Sequence, residues 1–203
     1  MHRNHARSAA VGSSTITVTR SRCPAAACIG VVAVLLGLAT PGSASAATHQ
    51  DFTTEAFQND CLNAHNMYRK QHDASALTID QKLVAFAIGR AKTLAITETM
   101  KHDAQGYGEN LAWKWSSRGA NPVPCTVPVK EWYSEVKEVD WSDPESLPKA
   151  PRFTQVVWRA TTKLGCGQAA TVNGRQGGVW TVCVYDPAGN MPGKFSDNVH
   201  RSS

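Results

Sequence analysis

One histidine and two glutamates, His65, Glu109 and Glu135, are the side chains with which this chain could hold a divalent cation or move a proton. An imidazole and two carboxylates are a donor set for a metal-assisted hydrolase, in which the ion lowers the pKa of a bound water. The patterns that accompany such chemistry are absent from the sequence. There is no His-Glu-x-x-His helix and no Gly-x-Ser-x-Gly turn. Each residue also has a plain structural reading. His65 borders an apolar helix face, Glu109 follows Gly108 and could cap backbone amides, and Glu131 and Glu135 stack at i, i+4 as a solvated helix face would. No catalytic residue is assigned, and the chain is read as a non-enzyme.

Cysteine chemistry gives a firmer signal. Residues 1–46 contain four arginines and no acid, then an apolar run from Ala25 to Ala39, and close on Ala44-Ser45-Ala46. That is a secretory signal peptide, cleaved near Ala46, and its apolar run is too short for a membrane span. Cleavage removes Cys23 and Cys28 and leaves Cys61, Cys125, Cys166 and Cys183 in an oxidising compartment, hence two disulfides. Cys166 and Cys183 flank a glycine-rich turn between β-prone runs, and each stands eight residues from the centre Gly174-Arg175. A two-residue turn there sets them directly opposite in a hairpin, and a wider loop over Asn173 to Gly178 shifts the register. Bridge Cys166–Cys183 leaves Cys61–Cys125 as the second.

The cut also settles the charge. Of 21 basic side chains four lie in the leader, so 17 face 16 acidic ones in the mature chain. Such a balance gives no electrostatic footprint for nucleic acid. No Asn-x-Ser/Thr acceptor occurs. The mature protein is expected to be extracellular, with no membrane span.

The elements that must position these residues follow from periodicity. Residues 47–55 are a polar, flexible run-in. A helix is predicted from Glu55 to Lys70, with Phe57, Cys61, Ala64 and Tyr68 on one face. Thr78-Ile-Asp-Gln81 is a capping-box pattern that opens a second helix to about Ile96, burying Leu83, Ala87, Ala91 and Leu94. Leu111 to Trp115 forms a short strand or turn, and Ser116 to Pro128 a proline-rich loop anchored by Cys125. Val129 to Val139 is helical, and a short helix from Phe153 to Thr162 feeds the hairpin. Helices over a small antiparallel sheet make an α+β class. Trp113, Trp115 and Trp141 sit in loop-like context and could line an apolar groove, while Trp132, Trp158 and Trp180 read as core.

Six segments in order carry a resemblance: His65-Asn-Met-Tyr-Arg69, Tyr107-Gly-Glu-Asn-Leu-Ala112, Trp132-Tyr-Ser-Glu135, Phe153-Thr-Gln-Val-Val-Trp158, Gly165-Cys-Gly167 and Cys183-Val-Tyr-Asp-Pro-Ala-Gly-Asn190. Together they resemble the CAP superfamily of cysteine-rich secretory proteins, antigen 5 and pathogenesis-related protein 1, with secreted fungal members nearest. The resemblance implies a disulfide-stapled, three-layer α-β-α sandwich over residues 56–195, with residues 196–203 as a tail. It also implies a cleft of two histidines and two glutamates that holds zinc in some members. Carried over, the cleft is His65, Glu109, Glu135 and, at the second histidine position, Arg152. A guanidinium is always charged and only donates. Arg152 is therefore expected to bridge Glu109 and Glu135, and zinc is not expected; His65, Glu109 and Glu135 are the ligands if a metal binds. The resemblance further implies a small hydrophobic ligand such as a sterol or fatty acid, and action at contacts between organisms. A second reading makes the chain a ligand for a host or partner protein, or the precursor of a signalling peptide released near Pro187 to Asn190. A third is a weak metal-dependent hydrolase.

Overall fold

A computed structural model describes residues 48–115, 119–173 and 178–202. The leader and the Gly174-Arg175 turn lie outside the described residues. Strands β4 (Lys163–Val172) and β5 (Val179–Asp186) pair antiparallel with Cys166 opposite Cys183, and the two are disulfide-bonded. The register is the one that a centre at Gly174-Arg175 demands. Strand β3 (Gly108–Lys114) joins β5, and β1 (Thr48–Asp51) joins the far side of β4, both antiparallel. Two-residue β2 (Thr78–Ile79) runs parallel to the start of β4. The path through the sheet is β1-β4-β5-β3.

Two of these strands depart from the reading of the sequence. Thr48 to Asp51, expected to be a flexible run-in, supplies the backbone partners that β4 would otherwise lack at its outer side. Asp51 is further tied to Lys92 at 3.1 Å. Thr78 is part of β2 rather than a helix cap, because its N–H and that of Asp80 donate to the carbonyls of Thr162 and Leu164. Helix α2 (Gln81–Thr97) is capped instead by the Asp80 carboxylate, which accepts from Lys82 N and Leu83 N.

Side chains alternate across the sheet and divide the core in two. On one face Leu83, Ala87, Ala91 and Leu94 of α2 meet Leu111, Trp180, Val182 and Val184. On the other, α1 (Glu55–Gln71), α3 (Thr126–Tyr133) and α4 (Pro151–Val157) cover Leu164, Cys166, Cys183 and Tyr185. The fold is therefore a three-layer α-β-α sandwich, with Cys61–Cys125 fastening α1 to the start of α3. The glycines on either side of Cys166 set how closely α2 can approach. A Cβ on Gly165 would lie 2.2 Å from the backbone of Leu83 and Val84, and one on Gly167 would lie 2.5 Å from the backbone of Ala87.

The other helices differ from expectation at their ends. The segment expected as one helix over Val129 to Val139 is α3 followed by a 3₁₀ turn, Ser134–Glu138. The helix expected to reach Thr162 stops at Val157, because the carbonyls of Val156, Trp158 and Thr161 turn inward to Arg69. The tail is not loose. Helix α5 (Phe195–Asn198) leads to buried Val199, Asn198 Oδ1 accepts from Ala160 N, and the His200 carbonyl accepts from His72 Nδ1 at 2.6 Å.

Candidate functional site

Strand β3 decides where the expected cleft residues go. Residues 109 and 110 are consecutive on a strand, so their side chains leave from opposite faces. Glu109 turns toward α2, where Arg90 Nε donates to its Oε1 at 2.9 Å. Its Oε2 accepts from His102 Nδ1 at 2.8 Å and from Asp103 N at 3.3 Å, the last being the amide-capping role read from the turn. The carboxylate is 1% exposed and the His102 side chain 70%. Arg90 also donates to the Lys101 carbonyl, which fixes the loop that carries His102.

Glu135 does different work. Its Oε1 accepts from Arg152 Nε at 2.5 Å, and its Oε2 from the backbone N–H groups of Arg152 and Phe153 at 2.7 and 3.1 Å. The carboxylate thus satisfies the exposed donors at the start of α4, where Pro151 occupies the first turn. Arg152 does not bridge Glu109 and Glu135 as the sequence suggested. Glu109 is held on the α2 side, and Arg152 instead gives its carbonyl to Asn110 Nδ2 at 3.1 Å.

His65 is not with either carboxylate. It is fully buried on α1, with Nδ1 2.7 Å from the Cys61 carbonyl and Nε2 2.8 Å from the Tyr185 hydroxyl. A carbonyl can only accept, so Nδ1 carries the proton and Nε2 accepts from Tyr185. Asn110 Nδ2 donates to the same tyrosine oxygen at 3.2 Å. Burial holds the His65 pKa down to about 4 and pushes that of Tyr185 well above its usual value, so both stay neutral. The rest of the His65-Asn-Met-Tyr-Arg69 segment is equally structural. Asn66 accepts from Leu77 N and donates to its carbonyl, and Arg69 donates to the carbonyls of Ser75, Val156, Trp158 and Thr161.

The cation implied by the resemblance does not fit these residues. Both nitrogens of His65 and both oxygens of Glu109 and Glu135 are hydrogen-bonded, and Arg152 puts a fixed positive charge against Glu135. Among the described residues no three imidazole or carboxylate groups converge; the convergent set of ligand atoms is that of the four cysteines. The residues missed from sequence are Arg90, His102 and Tyr185. Arg90 could have been found, because it falls three residues after Ala87 on the buried stripe of α2, where a guanidinium needs a carboxylate. His102 lies in an aperiodic loop and gave no signal.

The three tryptophans do not form one groove. Trp141 packs on His72 and Phe153 in the helical layer, while Trp113 stands 6.0 Å from Trp180 on the α2 face. Trp115 does line an apolar recess, of about 270 Å³, with Pro122, Val123, Pro124, Val127 and Val179. The same Pro122-Val123-Pro124 segment forms one wall of a larger recess of about 410 Å³, opposite Phe52, Ala56 and Phe57. Buried Gln168 holds this segment as a neighbouring strand would: Oε1 accepts from Val123 N and Nε2 donates to the Val123 carbonyl, both at 2.9 Å. A proline-flanked segment fixed at both backbone groups of its central residue makes a preformed apolar wall.

Comparison with known proteins agrees with this architecture. Residues 62–185 match the family model for CAP, the cysteine-rich secretory protein family. Protein PRY2 of Saccharomyces cerevisiae is 35% identical over 144 residues, covering 70% of this chain and 41% of that protein. The human Golgi-associated plant pathogenesis-related protein 1 is 33% identical over 152 residues, covering 72% of this chain and 94% of that protein. The chain thus spans less than half of the yeast relative and nearly all of the human one. Among solved structures, that of BmVAL-1 superposes with a TM-score of 0.58 at 21% identity, over 74% of this chain and 82% of the other, a likeness of fold.

Proposed function

The chain belongs to the CAP family of cysteine-rich secretory proteins, and from that premise we propose that it is a secreted binding protein without catalytic activity. Its ligand is a small hydrophobic molecule, a sterol or a fatty acid, and it acts outside the cell at contacts between organisms. The observation that carries the reading is the pair of apolar recesses that share the Pro122-Val123-Pro124 wall, which the Gln168 carboxamide holds in place. The larger recess, of about 410 Å³, has the size of a small-molecule site, since such sites are mostly apolar clefts of roughly 300–1,000 Å³, and the smaller one adjoins the same wall. Trp115 lines the smaller recess, and Trp113 and Trp141 line neither. Secretion is supported by the leader and by two disulfides, which persist in oxidising compartments.

A non-catalytic role is supported by the commitment of His65, Glu109 and Glu135 to structural hydrogen bonds, and the same commitment argues against zinc in the cleft. Release of a peptide from Pro187 onward is disfavoured by the bonds that hold it. Thr161 Oγ1 donates to the Pro187 carbonyl at 2.8 Å, Gly189 N to Gln155 Oε1 at 2.9 Å, and Asn190 Nδ2 to the Pro151 carbonyl at 2.8 Å.

The test is equilibrium binding of a fluorescent sterol and a fluorescent fatty acid to the disulfide-intact protein, with zinc affinity measured on the same preparation. Saturable uptake is expected, weakened at least about tenfold in Val123→Glu, which places a charge in the apolar wall. No saturable uptake of either probe, or equal uptake by the variant, overturns the groove. Tight zinc binding lost in Glu135→Gln overturns the reading of the cleft.

A further inference from the structure

We propose that, with its cysteines reduced, this chain binds one zinc ion through Cys61, Cys125, Cys166 and Cys183. The two disulfides lie side by side, and all four Sγ atoms fall within 4.8 Å of one another. A zinc tetrathiolate with Zn–S bonds of about 2.3 Å has sulfur–sulfur edges of about 3.8 Å. Two of the six edges here are disulfide bonds that open on reduction, and the other four lie within 4.8 Å, so side-chain rotation of the freed thiolates suffices to reach that size. The ligands arrive from four separate elements: Cys61 from α1, Cys125 from the start of α3, Cys166 from β4 and Cys183 from β5. Two therefore come from the sheet and two from the helical layer above it, which allows a tetrahedron rather than a plane. All four are 0% exposed. A soft, fully protein-bound S₄ set with no position left for water is that of a structural zinc site, not a catalytic one.

The same burial says when the site forms. Sulfurs closed to solvent are also closed to reductants, so the reduced site belongs to a chain that folds before its bridges close. From the oxidised protein the reduced state is reached only through unfolding, when each disulfide takes two electrons and two protons from a dithiol, which closes to its own cyclic disulfide. The entering Zn²⁺ then displaces the four thiol protons to solvent. Zinc would hold the sulfurs at the meeting point of α1, α3 and the hairpin. It would leave as Zn²⁺ when two exogenous disulfides exchange with the four thiolates, which closes both bridges and releases the exogenous sulfurs as four thiolates that take protons from solvent. None of the four cysteines lines the apolar recesses, and ligand uptake is read on the disulfide-intact protein, so failure of the zinc site is distinguishable from failure of the groove.

The test starts from full-length mature protein, reduced in denaturant by a phosphine, which ends as phosphine oxide with oxygen taken from water, and then refolded without air. Cobalt(II) serves as the optical probe. The expected result is one Co²⁺ per chain, with the intense visible bands of a tetrahedral thiolate complex and displacement by Zn²⁺. Zinc should also raise the thermal midpoint of the reduced chain, or restore native circular dichroism if the metal-free chain does not fold. Cys125→Ser should weaken the metal at least about tenfold. Absence of stoichiometric binding overturns the proposal. So does binding that persists unchanged in urea, since that belongs to thiolates of an unfolded chain, and so does equal affinity in Cys125→Ser.

Discussion

The Tyr185 hydroxyl donates to His65 Nε2 across 2.8 Å, joining β5 to α1 in a part of the core where both side chains are fully buried. The bond runs in this direction because His65 Nδ1 is already committed to the Cys61 carbonyl. Histidine, tyrosine and Asn110 form one chain of donors and acceptors that ends on the Arg152 carbonyl. A residue that could have ligated a metal instead fixes how the helical layer sits on the sheet.

Tyr185→Phe should therefore destabilise the protein by about 1–3 kcal/mol, the cost of leaving His65 Nε2 buried without a donor. Chemical denaturation of the disulfide-intact protein measures it. Ligand uptake by the folded variant should be unchanged. An unaltered denaturation midpoint would show that the bond contributes nothing.

Stability should fall with acidification below neutrality. His65 has a pKa of about 4 in the folded protein against 6.5 unfolded, so between those values the unfolded chain binds more protons. A depressed pKa contributes stability that is present above 6.5 and is lost as pH falls toward 4. The loss between pH 7.5 and 5 is about 2 kcal/mol from His65 alone. His72, lowered by burial, acts in the same direction. Thermal midpoints across this range should drop, and less steeply in His65→Gln; parallel profiles for the two proteins would refute the assignment.

Gly167→Ala tests the contact between α2 and the sheet. The added carbon would meet the Ala87 backbone at 2.5 Å, and neither element can yield cheaply. Overpacking of this kind costs about 1–3 kcal/mol. Gly193→Ala is a poor control because its φ is +74°, whereas Gly89 sits on α2 with open space around its Cβ position. Gly89→Ala should be neutral or stabilising in the same thermal scan.

Much of this molecule was legible in its sequence. The spacing of Cys166 and Cys183 about Gly174-Arg175 determined the hairpin register, because antiparallel pairing leaves no freedom once the centre is set. Apolar stripes determined the buried faces of α1 and α2, because a helix can bury only what recurs at its own period. Segment order determined the family. Tertiary structure alone decided the site. Whether Glu109 meets Arg152 or Arg90 depends on which face of β3 it leaves from, and that follows from how β3 registers on β5, a pairing between residues about seventy apart in the chain. His65 and Tyr185 were each visible as residues, but their contact exists only because α1 crosses β5, and no local period records such a crossing. The same holds for Thr48 to Asp51, whose polar sequence carries no strand signal and which is ordered by the open side of β4.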